Sequence, residues 1–330
     1  MSGGRKRSAE FDLIAKIFAP LAHNEAGALG LSDDAAFLKP SAEHDIVVTT
    51  DAIVAGVHFL PSDPPETIAQ KALHVNLSDL AAKGATPRAY LLTAMLAPEI
   101  DDSWLKAFAA GLKRSQKRYT LSLIGGDTVA TPGPTAFNIV ALGEVPRGRM
   151  LTRGGARIGD DVWVSGTIGD AALGLRVLQG KAAALAEPHR NALVQRYRVP
   201  LPRLGVGRGL VGLADAALDV SDGLIADLGH IADVSRVAIR IDIANVPLSK
   251  AAGAALAVGV VSLHDLVTGG DDYELAFTAP RSATKALNAL AARAKVRLTR
   301  IGQVLKGKGV RAFDGAGKPL AFERPGYTHF

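Results

Sequence analysis

The sequence predicts an α/β or α+β protein built from two domains. Strand-like apolar runs alternate with amphipathic helical stretches in both halves, which is typical of mixed folds and unlike a helical bundle or a β-sandwich. At 330 residues, the chain has the length of two ordinary domains. Periodicity breaks down in a connection rich in glycine and arginine at 146–155, which predicts a boundary between domains 1–148 and 149–330.

The first domain is predicted to open with a helix, because apolar residues recur at helical spacing over 9–22. Runs rich in β-branched residues predict strands at 45–50 and 136–142, and helical patterns predict helices near 65–83 and 102–118.

The second domain continues the alternation. Strands are predicted at 162–165, 216–220, 237–243, 273–278, 296–305 and 309–313. Helices are predicted at 170–179, 188–213 with a proline break at 200–202, 223–235, 248–257 and 281–294.

Composition excludes several classes of protein. The chain has no cysteine, so disulfides, thiolate zinc sites, iron–sulfur clusters and cysteine nucleophiles are excluded. No apolar run approaches the ~18–20 residues of a membrane span, and the start lacks a signal-peptide core, so a cytoplasmic protein is predicted. The net charge of +6 suits small anionic substrates. Nucleic-acid binding is not favoured, because the basic residues are dispersed and aromatic residues are few.

Aspartates recur beside strand ends and turns. Six segments carry them: 30–35, 47–52, 75–80, 123–128, 218–223 and 268–274. Each alone has an ordinary explanation, since Asp and Ser often cap helices. Ser221 or Asp222 could cap a helix that begins near Leu224. Ser78 or Asp79 could likewise begin or interrupt a helix. Together, however, clustered carboxylates repel unless a cation neutralises them. An all-oxygen ligand set selects Mg²⁺ or Mn²⁺ and indicates phosphoryl chemistry. Asp227, inside a predicted helix, is expected to be a structural or surface residue.

Phosphate-binding groups are less distinctive. There is no P-loop and no kinase signature in the sequence. Gly125 and Gly126 could present main-chain N–H groups, and Arg153 could supply a forked cation, although a Gly-Gly pair usually forms a turn and a loop arginine is usually solvated. His58 follows an aspartate-bearing strand, where substrates often meet α/β folds, although a lone histidine is more often a packed residue.

These segments, in this order, resemble the thiamine-monophosphate kinase family. The matching motifs are SDDAAF, TTDAIVAGVHFLP, KALHVNLSDLAAKGATP, LIGGDT, LTRGGARIGD, LDVSDGLIADLGHIA, GGDDYEL and GYTHF. The resemblance implies the two-domain fold of aminoimidazole ribonucleotide synthetase, with N-terminal strands of two subunits pairing across a homodimer interface. It implies direct, in-line, Mg-assisted transfer of the ATP γ-phosphoryl group to thiamine monophosphate, with the C-terminal domain closing over nucleotide and substrate.

The resemblance also implies roles for single residues. The residues implied to bind several Mg²⁺ ions are Asp34, Thr49, Thr50, Asp51, Asp79, Asp127, Asp219 and Asp222. Those implied to contact ATP are Gly125, Gly126, Asp127, Arg153, Ser221 and Tyr119. Those implied to face thiamine monophosphate are His58, Asp271 and Arg324. Asp271 stands where some members have glutamate, and Arg324 where some carry an aromatic residue.

No catalytic base is predicted, because a phosphate acceptor is already anionic at neutral pH. Stabilisation would come from the metal ligands and Arg153. Two alternatives stay open: another ATP-dependent synthetase or cyclo-ligase of the same superfamily acting on a phosphorylated metabolite, and a non-catalytic nucleotide sensor. Relatives that need a terminal cysteine or a selenium residue do not fit a chain without cysteine.

Overall fold

A computed structural model describes residues 9–22, 24–33 and 35–328. The chain divides into two compact units, Met1–Leu80 with Thr86–Gly148, and Ala81–Ala85 with Arg149–Phe330. A four-stranded sheet lies in the first unit and a seven-stranded sheet in the second. Among the described residues, no helix is both long enough and apolar enough to cross a membrane. A cytoplasmic location stays a prediction.

The first unit places helices beside a mixed sheet. Its elements are α1 (Glu10–Leu13), β1 (His44–Val54), α2 (Pro65–Ala82), β2 (Thr86–Leu96), α3 (Asp102–Tyr119), β3 (Ser122–Ala130) and β4 (Ala136–Pro146). The strand order is β1-β4-β2-β3; β2 and β3 run parallel, and the other neighbours are antiparallel. Strands β1 and β3 are therefore the two edges of this sheet.

Aromatic packing and one glycine fix α3 in this unit. Phe108 of α3 stacks on Phe137 of β4 with ring centroids 4.2 Å apart, and the Asp101 side chain caps α3 by accepting from Trp104 N at 2.8 Å. A Cβ on Gly111 would lie 2.3 Å from Glu66 O. Only glycine therefore allows α2 and α3 to approach this closely.

The predicted N-terminal helix is confirmed as a helical segment, but only its first part is α-helical. After α1, residues Ile14–Phe18 form a π-helix and Ala19–Leu21 a 3₁₀-turn. Pro20 has no N–H to continue an α-helical ladder, which explains the tighter final turn. The segment still buries Ile17 and Phe18.

The second unit is larger and also mixed. Its elements are β5 (Asp161–Ser165), α4 (Asp170–Leu178), α5 (Glu187–Arg198), α6 (Leu204–Leu210), β6 (Ala216–Asp219), α7 (Leu224–Ser235), β7 (Ala238–Asp242), α8 (Lys250–Ala257), α9 (Leu263–Thr268), β8 (Leu275–Ala279), α10 (Thr284–Ala294), β9 (Leu298–Leu305), β10 (Gly309–Phe313) and β11 (Pro319–Leu320). The sheet order is β11-β10-β7-β9-β5-β8-β6. The predicted proline break is confirmed, because α5 and α6 are separate helices.

One apolar cluster supports the β6–α7 segment of this unit. Leu218 of β6, Leu224 and Leu228 of α7, and Ile239 of β7 are all buried in it. Strand β6 is an edge strand that pairs with β8. The packing therefore fixes both sides of the turn that carries Asp219 and Asp222.

Candidate functional site

Strand β1 and helix α2 bring three of the predicted ligands together. The hydroxyl of Thr49 donates to Asp79 Oδ2 at 2.5 Å, and Asp51 N donates to Asn76 Oδ1 at 3.0 Å. Alternate residues of a strand share a face, so Thr49 and Asp51 both face α2. Ser78 and Asp79 lie inside α2, so the explanation that they begin or interrupt a helix is wrong.

Thr50 lies apart from these ligands. Its side chain points to the other face of the sheet, where its hydroxyl donates to Asn138 Oδ1 on β4 at 3.1 Å. The structure therefore separates two neighbouring threonines that the sequence could not distinguish. Asp34 falls outside the described residues.

His58 lies in the turn that follows β1. The imidazole Nδ1 of His58 accepts a hydrogen bond from Val54 N at 3.1 Å. The main-chain N–H of His58 donates to Val54 O at 2.9 Å. An imidazole that accepts at Nδ1 carries its proton on Nε2 when neutral. The turn thus fixes which ring nitrogen acts as the donor.

Gly125, Gly126 and Asp127 lie on β3, the edge opposite β1. Gly126 has φ 155°, and a Cβ on it would lie 1.9 Å from Leu92 O. The pair is therefore part of a strand that packs closely on β2, and the turn explanation is wrong. Asp127 is exposed, and its Oδ1 accepts from Thr128 N at 2.8 Å.

Register sets the separation between Asp51 and Asp127. Asp51 is opposite Ile139 of β4, Ile139 is opposite Leu92 of β2, and Leu92 is opposite Gly126 of β3. Three strand spacings of ~4.8 Å give a backbone separation of about 14 Å. Since strand side chains stand roughly perpendicular to the sheet, these two carboxylates of one chain do not share an ion.

Tyr119 ends α3 and packs into the helical layer. Its ring meets His74 of α2 edge-on, with centroids 5.2 Å apart, and the Arg118 guanidinium lies 5.3 Å from its centroid. His74 Nε2 lies 2.9 Å from Ser115 Oγ.

In the second unit, the turn between β6 and α7 gathers carboxylates. Asp219 and Asp227 are buried, and one ligand atom from each of Asp222, Asp227 and His230 lies within 4.8 Å of the others. The side chains of Ser221 and Asp222 do not cap α7, whose N-cap is Gly223 without a side-chain bond. The capping explanation for these residues is therefore wrong.

Asp227 holds this turn from inside α7. Its Oδ2 accepts from the N–H groups of Asp222 and Gly223, each at 3.1 Å. Burial, and then the charges of Asp219 and Asp222, raise the pKa of the Asp227 carboxyl to about 8. Asp227 is thus a structural residue, and the expectation of a surface position is wrong. A cation among these carboxylates would offset their mutual repulsion, so the residues fit a hard divalent ion.

A second loop runs beside this turn and carries Asp271. Asp271 N donates to Ser221 O at 2.7 Å and Tyr273 N donates to Val220 O at 2.8 Å. Both donors are non-glycine residues with positive φ, 76° for Asp271 and 52° for Tyr273. Asp271 and Ser221, predicted separately, are therefore neighbours held by the main chain.

Arg153 and the C-terminal segment complete this region of the second unit. Thr152 O accepts from Ala217 N at 2.8 Å, which places the exposed Arg153 beside β6. Tyr327 N donates to Asp222 O at 2.8 Å. Tyr327 is 51% exposed, and Arg324, in the same segment, is exposed as well. The sequence predicted a role for Arg324 and none for Tyr327, although Tyr327 lies in the GYTHF motif.

Comparison with known proteins follows the same two-part division. Residues 32–145 match the family model described as AIR synthase related protein, N-terminal domain. Residues 157–315 match that of the AIR synthase related protein, C-terminal domain.

Three relatives illustrate the similarity along the chain. Thiamine-monophosphate kinase of Escherichia coli O157:H7 is 41% identical over 97% of this chain and 98% of its own length. The crystal structure of thiamine-monophosphate kinase from Stenotrophomonas maltophilia K279a is 42% identical, covers 94% of this chain and 98% of its own, and has a TM-score of 0.84. A structure of AaThiL complexed with AMPPCP and TMP is 32% identical, covers 97% of this chain and 94% of its own, and has a TM-score of 0.78.

Proposed function

This chain belongs to the thiamine-monophosphate kinases of the AIR synthase related family, and we infer that it phosphorylates thiamine monophosphate with ATP to give thiamine diphosphate and ADP. The observation that carries the inference is similarity along nearly the whole chain to enzymes of this activity, 41% identity over 97% of the chain in one case. The carboxylate-rich clusters of both units can hold the Mg²⁺ that such a reaction needs.

We propose that Mg²⁺ binds to the acidic clusters. Thr49, Asp51 and Asp79 would hold it in the first unit, because a hydrogen bond joins Thr49 to Asp79 and Asp51 lies on the same strand face as Thr49. Asp219 and Asp222 would hold it in the second, where buried carboxylates accumulate. Bound Mg²⁺ would offset the charge of the phosphates and orient their oxygens.

Asp34, Thr50 and Asp127 remain proposed ligands as well. Asp127 is supported by its exposed position on an edge strand. The Thr50 hydroxyl faces away from Thr49 and Asp51, so its proposed role is separate from theirs. Asp34 keeps its proposed role from the family resemblance alone.

We propose ATP-contacting residues for each unit separately. In the first unit, these are the main chain at Gly125 and Gly126, Asp127 and the Tyr119 ring. In the second, they are Ser221 and the Arg153 guanidinium, a forked donor suited to phosphate oxygens. The exposed Arg153 side chain and the anchored Thr152 main chain beneath it support this role.

The proposed acceptor-binding residues are His58, Asp271 and the C-terminal segment. His58 would offer Nε2–H to the phosphate, since its Nδ1 is occupied by Val54 N. In the C-terminal segment, Arg324 stays a candidate, and Tyr327 joins it because its exposed ring is tethered to the Asp222 turn. An aromatic ring suits the heteroaromatic part of the substrate.

The attacking phosphate oxygen of the acceptor is already ionised, so the residues need not remove a proton. Their work is to position two anionic phosphates in line and to reduce the repulsion between them. Arg153 would supply a permanent positive charge, and His58 would supply a hydrogen-bond donor at Nε2.

We further propose a homodimer formed through the edges of the four-stranded sheet. Both edges expose apolar side chains, with Val48 of β1 59% exposed and Val129 of β3 41% exposed. Edge strands are ready templates for pairing with another chain. If β1 of one copy pairs with β3 of another, the strands that carry Asp51 and Asp127 of different copies become neighbours.

The experiment that tests the function is ADP release by the purified protein with Mg-ATP. Thiamine monophosphate, free thiamine and no acceptor are compared, and the product is identified by mass. We expect ADP and thiamine diphosphate with the monophosphate alone. ADP formation only with another phosphorylated metabolite would instead assign the chain to a different synthetase reaction of the same fold.

A further inference from the structure

The loop at 269–274, here called the Asp271 loop, has a strained main chain. Asp271 and Tyr273 both adopt the left-handed conformation, which non-glycine residues avoid unless the surroundings impose it. A Cβ on Gly270 would lie 2.3 Å from Ser221 O, so the loop also packs closely on the β6–α7 turn. Something must hold such a loop in place.

The first anchor is the buried side chain of Asp272. It is 0% exposed, and its carboxylate accepts from Gly169 N at 2.6 Å and from Ala171 N at 3.3 Å. These two N–H groups belong to the N-terminal turn of α4, where a carboxylate is favoured by the helix dipole. The loop is thereby fixed to a helix that does not belong to the β6–α7 turn.

The second anchor is Arg196 of α5. Its Nη2 donates to the main-chain O of Asp272 at 3.0 Å and to Glu274 Oε1 at 3.0 Å. Glu274 is 0% exposed and also accepts from Ser165 Oγ at 2.6 Å and from Arg203 Nε at 2.6 Å. Arg196 Nη1 is buried without a hydrogen-bond partner among the described residues, but the two charge-assisted bonds of Nη2 tie the loop to α5 and oppose its displacement.

We propose that Asp272 and Arg196 are positioning residues for the thiamine monophosphate site, holding Asp271 in its left-handed conformation beside Ser221. Neither needs to touch the substrate. The inference rests on the proposed function of Asp271 as an acceptor-binding residue. The two anchors would hold the loop in one conformation, so that substrate binding does not have to order it.

Asp272→Ala is the direct test, and Asp170→Ala is its matched control. Asp170 is also buried at the start of α4, but its carboxylate accepts from Thr167 Oγ1 and Ser249 Oγ, each at 2.6 Å. Both variants therefore remove a buried carboxylate and two hydrogen bonds. We expect Asp272→Ala to raise KM for thiamine monophosphate about tenfold or more, with KM for ATP changed less than about twofold. Asp170→Ala should leave both constants near their wild-type values.

Arg196→Met and Arg203→Met form a second pair, which carries the test if Asp272→Ala does not fold. Each leaves Glu274 with one arginine, but only Arg196→Met removes the bond to Asp272 O. Arg196→Met should reproduce the selective rise in KM, and Arg203→Met should lower the melting temperature without it. An equal rise of KM for thiamine monophosphate in the two variants would assign the effect to general destabilisation and overturn the proposal.

Amide hydrogen exchange gives a readout that does not depend on turnover. In Asp272→Ala and Arg196→Met, the amides of Asp271 and Tyr273 should exchange faster, while those of β8 stay protected. Unchanged exchange in the loop would overturn the proposal even if KM rose. If the wild-type protein formed no ADP with thiamine monophosphate, the proposed function would fail, and exchange alone would then decide whether the two residues hold the loop.

Discussion

Asp51 and Asp127 occupy opposite edges of one four-stranded sheet, with β4 and β2 between them. Within one chain they cannot bind the same ion, because three strand spacings separate them by about 14 Å. Edge-to-edge pairing of two chains would place the strand that carries Asp51 of one copy next to the strand that carries Asp127 of the other. The two aspartates of a working site would then belong to different chains.

This arrangement predicts complementation between inactive variants. Asp51→Asn and Asp127→Asn should each abolish turnover as pure proteins while leaving folded dimers, because each site loses a ligand. In a dimer that contains one chain of each kind, one site carries both lesions and the other carries none. Such mixed dimers, made by co-expression with two different tags, should recover about half of the wild-type activity.

The control is a mixture of the two purified proteins under conditions that prevent exchange of subunits, which should stay inactive. Circular dichroism and size-exclusion chromatography check that both variants fold and associate. Absence of activity in verified mixed dimers would mean that both aspartates act from the same chain.

Thr49→Val should weaken metal binding in the first unit. The change removes the hydroxyl that donates to Asp79 Oδ2 at 2.5 Å while preserving the shape of the side chain. Loss of a partner that orients a metal ligand typically costs about ten- to a hundred-fold in affinity or activity. The Mg²⁺ concentration for half-maximal activity should rise about tenfold, and Thr49→Ser should stay close to wild type. An unchanged Mg²⁺ dependence in Thr49→Val would remove Thr49 from this site.

His58→Ala should impair the acceptor more than the nucleotide. Loss of the Nε2–H donor should raise KM for thiamine monophosphate at least about tenfold, and KM for ATP by far less. His44→Ala is the matched control. His44 begins β1, the strand that precedes the His58 turn, and its Nδ1 lies 2.7 Å from Ala42 O. Equal effects of His58→Ala on both substrates would show that His58 does not face the acceptor.

Asp227 predicts a distinctive dependence of stability on pH in the absence of Mg²⁺. Its pKa is raised to about 8 in the folded protein, first by burial and then by neighbouring carboxylates, whereas an unfolded aspartate titrates near 3.9. The folded state therefore holds the proton more tightly, and stability falls as pH rises from about 4 to about 8. Asp227→Asn keeps an acceptor for Gly223 N but does not titrate.

Melting temperatures measured over this pH range in EDTA test the effect. The difference between Asp227→Asn and wild type should grow in favour of the variant as pH rises, and it should level off above about pH 8. Parallel curves would show that the carboxyl does not retain its proton in the folded protein.

The sequence predicted most elements but missed two strands of the first sheet. Strand β2 is rich in Ala, Leu and Met, which carry no local signal for a strand, and it owes its conformation to pairing with both β4 and β3. Strand β3 contains Gly125 and Gly126, which ordinarily indicate a turn. Only the contact of Gly126 with the Leu92 main chain explains the glycine, and that contact is long-range.

The candidate site shows the same division between residue type and placement. Hard-oxygen ligands could be recognised from the aspartate-rich segments. The sequence could not show which of these ligands share a face, because Thr49 and Thr50 differ only in which side of β1 they occupy. Asp227 looked like an ordinary helical residue, yet its carboxylate reaches back to two N–H groups of the turn. Tyr327 depends on a main-chain bond to Asp222 that no local pattern encodes.

Pairing of two chains through the edges of the first sheet would also change how activity responds to dilution. If each site is completed by a second chain, the number of working sites at low concentration grows with the square of the chain concentration. Specific activity would then fall on dilution and recover on concentration, and the melting temperature would follow the same variable. Expression level would thus control both how much enzyme a cell contains and what fraction of it can work.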